Sequence, residues 1–269
     1  MFADLILGFL AGVVVSVLAT PVGVSGAVLL LPVQLSVLGV PAAAIAGTNL
    51  LYNVVAVPGA LMGYRRSPAR WRPLAGLLLT GALPGVAAGA ALRVLVEPSG
   101  TVSRVLVAML LIGMAGWLLW RVLGPARSSG GSGPDSAAPT GSPVTARVVL
   151  LGAVAGFVGG IYGIGGGSLI APVLVLAGPS VATVAPAALA STLATSVVGA
   201  AVFALLSLTG HPEVAPHWWL GLACGLGGLL GGYLGARLQP LIPQRWLLLG
   251  LAAVMLLVSL TYLGSALLA

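Results

Sequence analysis

Two glycine-broken stretches are where residue type and spacing point to chemistry in this 269-residue chain: Thr20-Pro21-Val22-Gly23-Val24-Ser25-Gly26 and Tyr162-Gly163-Ile164-Gly165-Gly166-Gly167-Ser168. Each lies within apolar sequence and holds residues that interrupt a helix and let it restart. A restarting helix aims free N–H groups and the positive end of its dipole at whatever precedes it. Two such ends facing one another form an anion site without lysine or arginine. Polar residues in the apolar runs that follow supply specificity: Thr48, Asn49, Tyr52 and Asn53 in one, Thr192, Thr195 and Ser196 in the other. Hydroxyls and amides donate to anion oxygens without the cost of burying a charge. The candidate substrate site is therefore Thr20, Gly23, Ser25, Gly26, Thr48, Asn49, Tyr52, Asn53, Tyr162, Gly163, Gly165, Gly166, Gly167, Ser168, Thr192, Thr195 and Ser196. Secondary candidates are Ser16, Gln34 and Ser36.

Enzymatic readings are weaker. Gly23-Val24-Ser25-Gly26 fits the GxSG of intramembrane serine proteases, but that serine needs a histidine base within hydrogen-bond reach. The two histidines, His211 and His217, flank the outer ends of apolar segments, and the second stretch is a serine-free glycine run at the matching place. That run is not a dinucleotide fingerprint either, since it lacks a preceding strand, a glycine at 168 and a downstream acid. The single cysteine, Cys224, cannot form a disulfide framework or thiolate cluster alone and reads as a core residue. No catalytic residue, metal or cofactor is expected.

The elements that position these residues must be membrane helices. Hydrophobic residues make up 59% of the chain, charged residues 6%, and mean hydropathy is +1.16. Soluble domains carry about 25% charged residues, so the natural environment is a lipid bilayer. The net charge of +7 comes with no lysine, and the arginines lie between or beside apolar runs. They read as topology signals rather than a nucleic-acid surface. No acid falls in the middle of an apolar run. The opening MFADLILGFLAG lacks a basic n-region, so the first segment is expected to be retained rather than cleaved.

The apolar segments fall at 3 to 19, 22 to 39, 41 to 63, 73 to 96, 101 to 123, 147 to 161, 164 to 178, 183 to 208, 215 to 236 and 245 to 268, several of them opening at proline. A Gly/Ser/Pro-rich linker separates two sets of five, which divides the chain into a first repeat (1–123), a linker (124–146) and a second repeat (147–269). The halves match in order: Gly8 to Gly12 with Gly152 to Gly156, Gly23 to Pro32 with Gly163 to Pro172, Ala46-Gly47-Thr48 with Ala190-Ser191-Thr192, and Gly81, Gly85, Gly89 with Gly227, Gly231, Gly235. That alignment puts four extra residues between the first two blocks of the first half. The glycine ladders are expected to be packing faces, and Trp71, Trp218, Trp219 and Trp246 interfacial anchors.

The basic loop from Arg65 to Arg72 should be cytoplasmic. Five segments per half then put nine arginines inside and two, Arg93 and Arg104, outside. The first two segments of each half reach only about 22 to 27 Å of a core about 30 Å thick, so they either cross or re-enter. Either way the number of crossings per half is odd, the repeats are inverted, the linker is cytoplasmic and both termini lie outside. The expected fold is an all-α polytopic membrane protein of two inverted-topology repeats, with short broken or re-entrant helices meeting near the midplane. In such proteins the substrate sits at the broken helices.

The runs GFLAG…GVSGAVLLLPV and GAVAGFVGGIYGIGGGSLIAPV resemble the paired signature of the sulfite exporter TauE/SafE family, and the resemblance covers both halves outside the linker. The second copy is closer; the first carries Ser25 and Ala27 in place of glycines. The resemblance implies a bacterial plasma-membrane exporter of sulfite, sulfonates or related small sulfur anions. An anion leaving a negative-inside cell gains about 2.3 kcal/mol per charge per 100 mV, so export by alternating access needs no coupling carboxylate. Import of the same anions, or a non-transporting role in membrane assembly, are the competing readings.

Overall fold

The structure, a computed structural model, describes residues 2–66, 71–96, 100–123, 142–176 and 181–267. Most of the linker, the tip of the basic loop and Glu97 lie outside the described residues, and Arg70, Arg127 and Asp135 with them. Among the described residues ten α-helices form and no strand. The first half comprises α1 (Phe2–Ala19), a 3-10 turn at Thr20–Val22, α2 (Ala27–Ser36), α3 (Ala42–Gly63), α4 (Arg72–Leu95) and α5 (Gly100–Leu123). The second comprises α6 (Ser142–Tyr162), α7 (Gly166–Leu176), α8 (Val181–Leu208), α9 (Trp218–Leu238) and α10 (Gln244–Leu267).

Among the described residues six segments are long and apolar enough to cross a bilayer: Phe2–Val22, Ala42–Gly63, Arg72–Leu95, Thr145–Tyr162, Val181–Leu208 and Pro212–Leu241. The chain is thus a multi-pass membrane protein. Helix α1 with its 3-10 turn, and α6, reach crossing length, whereas α2 has 10 residues and α7 has 11. At 1.5 Å per residue these two extend only about 15 Å, half a bilayer core. The shortness expected of the first two segments in each half therefore belongs to the second one alone.

Glycine sets how closely the long helices approach. A methyl built on Gly227, Gly231 or Gly235 of α9 would strike the carbonyl oxygen of Phe9, Val13 or Val17 on α1, at 1.9, 2.2 and 2.9 Å. One built on Gly81, Gly85 or Gly89 of α4 would strike those of Val149, Ala153 or Phe157 on α6, at 2.0, 2.2 and 2.0 Å. Residue numbers rise together in both contacts, so α1 runs in the direction of α9, and α4 in that of α6. Gly221, Gly225 and Gly232 turn another face of α9 to Leu51, Val55 and Ala60 of α3, again in one direction. By contrast Leu50 of α3 meets Gly199 of α8, while Val57 and Ala60 pack with Leu189 and Ala185, so α3 and α8 run oppositely.

Because α1 and α3 run the same way, the chain between them must double back. The α2 half-helix does this: Gly26 lies against Val15 and Ser16 toward the end of α1, and Leu38 lies beside Gly8, about two turns nearer its start. Packing also assigns a register between the halves that differs from the sequence match. Gly12 meets the Cys224 carbonyl as Gly152 meets that of Leu78, and Gly23 abuts Ala185 as Gly163 abuts Ala46. Matched by these contacts, Gly12 pairs with Gly152 and no extra residues fall between the blocks, a register one helical turn from the sequence match.

Trp218, Trp219 and Trp246 are exposed and Cys224 is buried in the α1–α9 contact. Gly85→Ala and Gly231→Ala should each lower stability by about 1–3 kcal/mol, as overpacking of a close contact does. Gly76→Ala, on the exposed side of α4 with open space around it, should be neutral or stabilising by up to ~1 kcal/mol from helix propensity. Thermal unfolding of the purified protein in detergent checks the contrast.

Candidate functional site

Each broken stretch is built by a glycine in the left-handed region. Gly23 has φ +79° and ends the 3-10 turn after α1, while Gly163 and Gly165 have φ +72° and +73° between α6 and α7. A side chain is strained in that conformation. Space is equally restrictive, since a methyl on Gly165 would lie 2.7 Å from Cγ2 of Thr192 and one on Gly26 would lie 2.2 Å from the Tyr52 hydroxyl.

The two stretches bring the first turns of α2 and α7 together. The Ser25 N–H donates to Oγ of Ser168 at 3.0 Å, a direct bond between the halves. The Ser25 hydroxyl donates to Oδ1 of Asn53 and accepts from the Ala27 N–H at 3.2 Å, capping α2. On the other side the Gly166 N–H donates to Oγ1 of Thr195 at 3.2 Å, and the Ser168 and Thr192 hydroxyls lie 3.4 Å apart. Asn49 Nδ2 donates to the Ala27 carbonyl at 2.9 Å, and the Ser16 and Tyr52 hydroxyls share a hydrogen bond. Amides freed by the breaks are thus held by side chains, as the interior of a bilayer requires.

Among the described residues every buried polar side chain is a hydroxyl or an amide; none is charged. Several carry unused capacity. Asn53 Nδ2, Asn49 Oδ1, Ser191 Oγ, Ser196 Oγ and both polar atoms of Gln34 are buried without a partner. A small cavity opens beside Ser25, lined on its polar side by Ser16, Thr20, Ser25 and Tyr52 and on its apolar side by Ala56, Val57, Ala60 and Leu189. It extends from mid-α3 toward Tyr64, whose hydroxyl donates to the Thr20 carbonyl at 3.1 Å just before the basic loop. Gln239 Nε2 holds the same turn through the Pro21 carbonyl at 2.8 Å.

The structure therefore gathers Thr20, Ser25, Gly26, Asn49, Tyr52, Asn53, Gly165, Gly166, Ser168, Thr192, Thr195 and Ser196 into one continuous region. Gly23, Gly163 and Gly167 serve it indirectly. The first two make the turns, and Gly167 admits the Ala188 carbonyl, 1.8 Å from where its methyl would be. Thr48 is elsewhere: its Oγ1 donates to the Ala44 carbonyl and accepts the His217 N–H, each at 2.8 Å, fastening the start of α9. Tyr162 is half-buried against an apolar cluster at the end of α6. Ser16, a secondary candidate, belongs to the cavity; its spacing of four from Thr20 on one helix face was the available signal. Ser191 stands four residues before Thr195 and was marked by the same spacing.

A helical membrane protein with two half-helices meeting end to end inside it, and only neutral donors around them, is built like a transporter. The sulfite exporter TauE/SafE family matches residues 7–262, and the chain belongs to that family. Its members are membrane transporters, and export of sulfite fits the family's name. Comparisons with curated proteins and with solved structures find no match.

Ser25→Ala would leave Oδ1 of Asn53 and the Ala27 N–H without their partner. The expected cost is about 1–3 kcal/mol, that of stranding buried polar groups, measurable as a lower unfolding midpoint relative to wild type.

Proposed function

We propose that this chain is a secondary transporter that exports small sulfur-containing anions, such as sulfite or an organic sulfonate, from the cytoplasm by alternating access. The observation that carries the reading is the meeting of α2 and α7 through the Ser25–Ser168 bond, beside the unpartnered donor Nδ2 of Asn53. Helix N-termini and amide hydrogens both favour negative charge. Neutral donors also let the anion leave, where a buried cation would hold it. Hydroxyls hold these N–H groups, and an entering anion takes their place.

The same reading takes the two halves as inverted-topology repeats. It is supported by the pairing of α1 with α9 and α6 with α4, and by the opposed directions of those pairs. It places the protein in the bacterial plasma membrane, the basic loop and linker in the cytoplasm and both termini outside. The cavity lies on the basic-loop side of the meeting point, which favours loading from the cytoplasm and hence export. The membrane potential supplies the driving force, since no carboxylate or histidine is buried among the described residues.

In proteoliposomes under a set potential and no ion gradient, sulfite or a sulfonate should carry a current. Asn53→Ala should reduce it about 10- to 100-fold, the loss of one hydrogen bond to a charged group. No current for any small sulfur anion, or flux that needs a proton or sodium gradient at zero potential, would overturn the mechanism.

A further inference from the structure

The residues that line the cavity at the first broken stretch have counterparts around the second. The packing register equates Leu189 with Leu50 and Ala60 with Gly199: a methyl on Gly232 lies 3.2 Å from Ala60, and one on Gly199 lies 3.2 Å from Val86 and 2.8 Å from Leu50. The same register puts Ser191 in the place of Tyr52, Ser196 in the place of Val57 and Gly156 in the place of Ser16. In the first half those positions line the cavity. Close packing is common to both: a methyl on Gly26 would lie 2.2 Å from the Tyr52 hydroxyl, and one on Gly166 2.9 Å from the α-carbon of Gly156.

A region packed only for stability would be apolar, as buried hydroxyls without partners are destabilising. Here the polar inventory has been moved rather than lost. Gly156 and Gly165 replace the hydroxyls of Ser16 and Ser25, while Ser196 replaces Val57 on the facing helix. Ser191 and Ser196 are both fully buried, and neither hydroxyl has a partner. Neither bonds back to its own helix, although Thr195 between them donates to the Ser191 carbonyl at 2.8 Å. The two serines flank the middle of α8, whose C-terminal end leads to the 209–217 loop, opposite to the end closed by Tyr64. At that end Phe203 stands where Tyr64 stands and seals it by packing among Leu50, Ala90 and Val94, with no hydroxyl latch.

We infer that Ser191 and Ser196 line a second passage for the same small oxyanion, one that opens toward the 209–217 side when the first cavity closes. The inference rests on the transporter reading, to which it adds the residues of the opposite-facing state. Glycine serves this passage because it lets α6, α7 and α8 collapse onto one another without leaving a void. The serines keep their hydroxyls unpaired because their partner is the passing anion.

The test is side-specific thiol labelling of the full chain in oriented membrane vesicles with a membrane-impermeant reagent. Cys224, the sole cysteine, is buried, so wild type gives the unlabelled baseline. Ser16→Cys should react from the basic-loop side, and Ser191→Cys and Ser196→Cys from the opposite side only; the serine-to-cysteine changes are nearly isosteric. An organic sulfonate on one side, which unlike sulfite does not consume the thiol reagent, should raise labelling at one set and lower it at the other. The inference is overturned if Ser191→Cys and Ser196→Cys, in protein that still carries the anion, stay unreactive or react only from the basic-loop side. Two-sided labelling without flux of any sulfur anion would support the passage and overturn the proposed substrate instead.

Discussion

Everything in this molecule answers to one constraint: a backbone amide released from a helix in the middle of a bilayer must find its partner within the protein. Ser25 is where that constraint is met most densely. Its N–H is taken by Ser168 of the other half, its hydroxyl reaches Asn53, and the same oxygen accepts the Ala27 N–H. The half-helices α2 and α7 can exist only because such partners surround them. Excluding lipid from the breaks requires the long helices to close tightly, which is the physical role of the glycines facing the carbonyls of α1 and α6.

The way the breaks are satisfied also decides what the site can bind. Donors held by neutral hydroxyls and amides are exchangeable, because an anion offers the same acceptor atoms. A lysine or arginine there would attract an anion more strongly and release it less readily. The proposed substrate and the proposed direction of flux follow from this chemistry and from the position of the cavity between Ser25 and Tyr64.

The two halves are not equivalent where it matters. The first carries Ser16, Ser25 and Tyr52 around open space; the second carries glycines at the places of Ser16 and Ser25, and its hydroxyls stand on α8. In the proposed transport cycle this difference of a few hydroxyls distinguishes the two sides of the path.

The membrane environment, the helical class, the two sets of five segments, the broken stretches and the glycine packing faces were all legible in residue order, because each depends on local composition and spacing. Asn49, Asn53, Ser25 and Ser168 were legible as well, being polar residues in apolar runs. Thr48 and Tyr162 satisfied the same rule yet lie away from the cavity, since a polar residue in a helix says nothing about which neighbour it faces. Ser16 and Ser191 carried too weak a local signal to rank above them. Residue order likewise leaves the register between the halves open, because glycine at three- and four-residue intervals permits several. Which hydroxyls converge, which stay unpartnered and which cavity is open were decided only by helix packing, where one turn of slip, about 5.4 Å, exchanges every contact along a helix.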